Sequence, residues 1–201
     1  DVGALGMRVL AEQAGGDAAV NILRRVALER TDGMQTPAAN LIAERQGEVV
    51  AGRLVLDARD ANLRQQGLAW LAKMAPTEPA AVDALRAALG SRHAEVRLGA
   101  ARRLAERRDG AAWDLLVKVL NGDDTRQMRE ARDGLIALGD PRVVDALLDR
   151  VDRPDKGSGL GDELIRFAAD LRVAASLPRL LKLADVKELR RASLYGALTV
   201  T

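Results

Sequence analysis

Cysteine is absent, histidine occurs once, and aromatic residues make up 2% of the 201-residue chain. Without cysteine there is neither a disulfide framework nor a thiolate metal site, which suits a reducing compartment and predicts a cytoplasmic location. The sole imidazole, His93, has Glu95 two residues on, an arrangement that imitates the H-x-E of zinc deaminases. That chemistry also needs cysteine ligands, so His93 reads as a solvated turn residue and no metal, cofactor or catalytic residue is assigned. Two Trp, one Tyr and one Phe supply almost no platform on which nucleic-acid bases could stack. No apolar run approaches the ~18 residues that a membrane span requires. Charge of one sign is lacking too, since 31 basic residues against 29 acidic ones leave a net charge of +2.

What the chain does have is a recurrence every ~30 residues, the signature of a repeat architecture. A large apolar residue opens each copy, with starts at Val2, Met34, Leu63, Val96, Met128, Leu164 and Leu189. Four residues later stand Gly6, Ala38, Gly67, Ala100, Arg132, Ala168 and Ser193. Eight later stand Leu10, Ile42, Leu71, Leu104, Ile136, Arg172 and Ala197. These offsets share one side of a helix, so each copy predicts a helix whose small residues admit a close neighbour. Arg132 and Arg172 break the pattern.

Between the copies lie further apolar segments: Ala18–Arg30, Glu48–Ala58, Ala80–Leu89, Ala112–Leu120, Arg142–Val151 and Leu177–Ala184. Asp140 and Pro141 read as an N-cap and first helical position, and Gly110, Gly122 and Gly139 fall where helices should stop. Each unit is therefore expected to be a helical hairpin, stable only when stacked, with each internal Leu or Ile contributing about 1.5–3 kcal/mol on burial. The predicted fold is all-α: a right-handed α-solenoid of six to seven hairpins forming a single domain over residues 1–201. Glycine-rich residues 152–162 lengthen the step from Met128 to Leu164 and predict a flexible inter-helix insertion; Lys156 precedes the glycines, contrary to a phosphate-binding loop. Leu5, Val9 and Leu10 near one end, and Leu194, Leu198 and Val200 near the other, lack the polar character of solenoid caps, so a longer parent protein is expected.

The segments EVRLGAARRLAERRDGAAWDLLVKVL and LGDPRVVDALL resemble HEAT repeats of the short bacterial kind, also called lyase-type HEAT-like repeats. The apolar-Arg pair of that family recurs at Leu63-Arg64, Val96-Arg97, Met128-Arg129 and Leu189-Arg190, whereas Gly3, Gln35 and Ile165 depart from it. The resemblance implies that this Arg meets an Asp of the inter-helix turn, with Asp123 six residues before Arg129 as the candidate. It also implies that these arginines are structural and that the second helices line a concave face.

On those helices the apolar stripe would leave offsets six and ten facing outward. Arg8, Asn40, Lys73, Arg102, Glu106 and Tyr195 occupy them, and Arg103 extends the basic cluster of the Val96 helix; these are the expected partner-binding residues. The same rows hold Glu12 and Glu44, so no basic track for phosphates forms and nucleic acid is disfavoured. Trp70 and Trp113 fall in apolar rows and are expected in the core. The expected function is a non-catalytic protein-interaction scaffold for a protein or peptide, including another domain of the same polypeptide. The alternatives are a HEAT-fold enzyme or nucleic-acid binder similar to the alkylpurine DNA glycosylases, and a bilin-lyase-like protein. Iron-dependent hydroxylases of HEAT-like fold use several His-Glu pairs, which this chain does not have.

Overall fold

The structure is a computed structural model, and it describes residues 6, 9, 17–151, 160–171, 176–185 and 189–200. Among these residues twelve α-helices and one short 3₁₀ turn are present, and no strand. The chain divides into two compact units, Asp1–Leu104 and Ala105–Thr201.

The first unit contains α1 (Asp17–Glu29), α2 (Gln35–Gln46), α3 (Glu48–Val55), α4 (Ala61–Met74), α5 (Pro79–Ala88) and nearly all of α6 (Ala94–Glu106). Packing runs from α1 to α2, α2 to α3, α3 to α4 and α4 to α5, and α1, α3 and α5 also pack in a row. That serial order is what a stack of hairpins requires. The core is built from small and branched residues rather than rings: Leu23, Ala27, Ala38, Ala39, Ile42, Ala51, Val55, Ala58 and Leu63 form one buried cluster, with Trp70 packed against it. Short side chains bring the helix axes together, and backbone contact takes over where they vanish. Gly52 of α3 and Gly67 of α4 face each other so closely that a methyl group added at Gly67 would stand 2.8 Å from the Gly52 carbonyl oxygen.

Turn chemistry fixes where these helices start and stop. Gly47 alone joins α2 to α3, at φ 93° and ψ 153°, a conformation that side chains of L-residues rarely adopt. Its N–H closes α2 by donating to the Ala43 carbonyl at 2.9 Å. Asp60 caps α4 by accepting from the Leu63 N–H at 2.8 Å, satisfying a donor that the helix itself cannot.

The second unit contains the 3₁₀ turn Gly110–Ala112, α7 (Trp113–Leu120), α8 (Thr125–Leu138), α9 (Val143–Val151), α10 (Leu160–Asp170), α11 (Leu177–Leu183) and α12 (Arg190–Val200). Here too packing follows chain order, with α7 on α8, α8 on α9, α9 on α10 and α11 on α12, while α10 also meets α12. Asp124 caps α8 through the N–H groups of Arg126 and Gln127, and Gly139 ends it in the left-handed region at φ 70°. The Asp140 carboxylate accepts from the Arg142 N–H at 2.9 Å, two residues into the turn that leads to α9. Gly110 does not simply end a helix; it opens the 3₁₀ turn, which Asp109 caps through the Ala111 N–H at 3.0 Å. Residues 160–162 of the expected insertion belong to α10, and residues 152–159 lie outside the described residues.

Two expectations are corrected in α8. The helix buries Met128, Ala131, Arg132, Leu135 and Leu138, so its stripe runs one residue earlier than the Met128 start implied: Ala131 takes the small position and Leu135 the aliphatic one. Arg132 is thus displaced from the small-residue row rather than interrupting it. Arg129, expected to meet Asp123, pairs instead with Glu163 at 3.3 Å. A carboxylate on the following repeat reaches it across the helix row.

Candidate functional site

Arginines of the second helices act as braces, Arg64 and Arg97 at positions of the family pattern and Arg132 outside it. Arg64, 8% exposed, donates from Nη1 to the carbonyls of Ala58 at 2.6 Å and Arg59 at 2.9 Å, in the turn before its own helix. Its other nitrogens bind the Glu95 carboxylate of α6, the Nε bond measuring 2.8 Å. Arg97 repeats the first half of this arrangement, donating from Nη1 to the carbonyls of Ser91 at 2.8 Å and Arg92 at 3.2 Å. In the second unit Arg132, 7% exposed, bonds Glu163 and Asp133 while its guanidinium carbon lies 4.1 Å from the centre of the Phe167 ring. Turn carbonyls and forward glutamates thus take the place expected for a turn aspartate. Arg190 opens α12, and its side chain lies outside the described residues.

Sequence reasoning missed two further cations. Arg150 is buried and donates from Nε to the Leu120 carbonyl at 3.1 Å, closing the end of α7. Arg142 covers Trp113, its guanidinium carbon 4.2 Å from a ring centre, so that this indole is half-buried rather than enclosed. For Arg132 the signal was available: the spacing Ala131, Leu135, Leu138 marks the apolar face directly.

Charge pairing shifts the acids involved. Burial works to raise the Glu95 carboxyl, but hydrogen bonding from its own N–H and the Arg64 guanidinium outweighs it, and the group sits below its ordinary range. Asp140 is lowered by the hydrogen bond from the Arg142 side chain and then by that from its N–H. Both acids titrate lower in the folded chain than in the unfolded one. Their contribution is therefore complete above the ordinary carboxylate range, near pH ~4, and disappears as pH falls through the lower folded values. Urea midpoints should drop in acid, and Glu95→Gln should show the shallower drop; equal slopes would remove Glu95 from this account.

The expected partner-binding residues divide between the units. In the first, Asn40 is exposed on α2 and accepts from Gln66 Nε2 of α4 at 3.1 Å. Lys73 is exposed on α4 and pairs with Glu48 at 2.8 Å. Arg102 is half-buried and Arg103 exposed, and each engages a partner. The row of second helices α2, α4 and α6 therefore carries Asn40, Lys73, Arg102 and Arg103 on consecutive repeats. Glu106, exposed and also partnered, ends α6 and belongs to the second unit, as does Tyr195, 56% exposed on α12. Arg8 lies outside the described residues. In α8 the outward rows fail: Gly134 at offset six and Leu138 at offset ten are buried, because the stripe is shifted by one residue.

His93 is half-buried in the turn before α6, where its Nε2 accepts from Arg92 Nε at 3.1 Å and its Nδ1 lies 4.0 Å from Glu95. Among the described residues no three His, Asp or Glu side chains are placed to hold a metal ion, and no helix is long and apolar enough to cross a membrane.

Residues 53–136, which run from the last turn of α3 into α8, match the family described as HEAT repeats. Within that span the chain is similar to HEAT repeats. No curated protein matches it. HEAT repeats generally act as protein-interaction scaffolds, their paired helices holding one another in register while the outer faces remain available. Here the arginine braces hold neighbouring helices together, and Asn40, Lys73 and Arg103 stand among the residues left at the surface.

Proposed function

We propose that this chain, similar to HEAT repeats over residues 53–136, is a non-catalytic scaffold that receives a protein or peptide on the face of its second helices, the concave side in HEAT stacks. Another domain of the same polypeptide would satisfy the same chemistry. One observation carries the reading: α2, α4 and α6 are fastened side by side through Gln66–Asn40 and Arg64–Glu95, and the exposed Asn40, Lys73 and Arg103 of that row supply amide, ammonium and guanidinium groups in sequence. A fixed array of mixed polar groups selects a partner by complementary charge at low ordering cost. Glu44 on the same face opposes phosphate, and the few aromatic residues offer little stacking surface, so a damaged-DNA groove is disfavoured.

Reversing Arg102 and Arg103 together to glutamate should reduce recovery of a specific cellular partner by about tenfold, a change of about 1.4 kcal/mol. The comparison is quantitative mass spectrometry after capture with the wild-type and variant chains, with helicity checked by circular dichroism. Equal recovery by a folded variant would take these arginines out of the interface. The DNA alternative predicts duplex binding that is strong at low salt and falls steeply as salt rises. No shift of a DNA duplex at low salt would dispose of it.

A further inference from the structure

A second surface of the first unit has chemistry of its own. The C-terminal ends of α3 and α5 enclose an open cleft of about 530 Å³. Leu56, Ala87 and Ala88 supply its apolar lining, while Arg53, Asp57 and Arg92 supply charge. Two helix C-termini would ordinarily repel an anion. Here their carbonyls are already occupied by the turns: those of Val55, Ala87 and Ala88 accept from Ala58, Gly90 and Ser91 at 3.0, 3.1 and 3.1 Å. Arg53 is exposed and has no carboxylate partner among the described residues. Arg92 is held in place by donating to His93 Nε2 and to the Asp57 carbonyl, both at 3.1 Å, and neither partner neutralises its charge. Two guanidinium groups against one carboxylate leave the cleft positive beside a patch of small apolar side chains.

We infer that this cleft binds an acidic peptide, which inserts one aliphatic side chain over Leu56 and Ala88 and sets its carboxylates against Arg53 and Arg92. A carboxylate matches the guanidinium fork, and the apolar patch adds a contact that a bare anion could not use. The face and the residues differ from those of the scaffold reading, so either can fail alone.

The probe is a fluorescein-labelled peptide with one Leu flanked on both sides by Glu, titrated with the full chain and followed by anisotropy. Binding should weaken as salt rises, because the rim charges are exposed. Arg53→Glu combined with Arg92→Glu should cost at least about tenfold in affinity. Ala87→Trp, which fills the cleft without altering its charge, should cost about fivefold or more. Both variants must retain wild-type helicity, and Arg102→Glu with Arg103→Glu should leave the peptide's affinity unchanged. The proposal is overturned by equal binding of a peptide with Lys in place of Glu or Ser in place of Leu. It is overturned equally by folded cleft variants that bind as wild type does, by a phosphate polymer that competes while the Leu is dispensable, or by no binding at millimolar peptide.

Discussion

Gly67→Ala should destabilise the first unit by about 2 kcal/mol, although alanine is the better helix former by about 1 kcal/mol. The added methyl group would stand 2.5 Å from Val55 Cγ2 and 2.8 Å from the Gly52 carbonyl oxygen. Val55 can rotate aside, but the carbonyl belongs to a helix backbone that is pinned in return: a methyl at Gly52 would meet the Gly67 carbonyl at 3.1 Å. Relief therefore requires α3 and α4 to separate, and the packing on both sides opens with them. Gly99→Ala supplies the control. Its methyl would also meet a neighbour at 2.5 Å, but that neighbour is Leu68 Cδ1, the far end of a flexible side chain. Rotation absorbs that overlap, so this variant should lie within about 0.5 kcal/mol of wild type or gain from its helix propensity. Urea unfolding followed at 222 nm compares the two. Equal losses would mean that close approach of the backbones is not what sets the spacing of α3 and α4.

Arg64→Ala should cost about 3 kcal/mol, the range expected when one partner of a buried charged network is removed. The loss has two parts. The carbonyls of Ala58 and Arg59 lose their donor in the turn, and Glu95 loses the guanidinium that lowers its carboxyl. Glu95→Gln affects only the second part, at a half-exposed carboxylate, and should cost less than about 1 kcal/mol. Lysine at position 64 should recover little, because a single ammonium cannot address two carbonyls and a carboxylate in the directions that the planar fork does. The same urea titrations decide the matter. Similar losses for Arg64→Ala and Glu95→Gln would place the energy in the ion pair rather than in the turn.

The repeat was legible because its signal is geometric: a small residue and an aliphatic at fixed helical offsets recur at Ala38 and Ile42, Gly67 and Leu71, and Ala100 and Leu104, and all six are buried. Asp140 was legible as an acid that acts on the backbone within two residues of itself, but α9 begins at Val143 rather than at Pro141, so Asp140 shapes the preceding turn and is not the N-cap expected. The reading faltered where a pattern fixed by one repeat was imposed on the next. Met128 looked like an opening apolar residue, yet Ala131, Leu135 and Leu138 set the buried face of α8, and Arg132 found partners in Asp133 and Glu163. Glu163 is 31 residues away from Arg132, and no local spacing announces that pairing. The cleft at Arg53 and Arg92 was invisible for the same physical reason, because it depends on how the ends of two helices are placed rather than on either segment. Asn40 and Lys73 do reach the surface as their offsets required, but the bonds to Gln66 and Glu48 depend on neighbouring helices.

The braces also bear on how the molecule would respond to being pulled apart. Arg64 fastens a turn of its own hairpin and a carboxylate of the next, and Arg132 reaches forward to Glu163 in like manner. Such stitches oppose sliding along the helix row, where several bonds must break together, but a hairpin lifted away from its neighbour loads them singly. Stretched from its ends, each unit should therefore yield in steps, every peak in the force trace corresponding to one severed stitch.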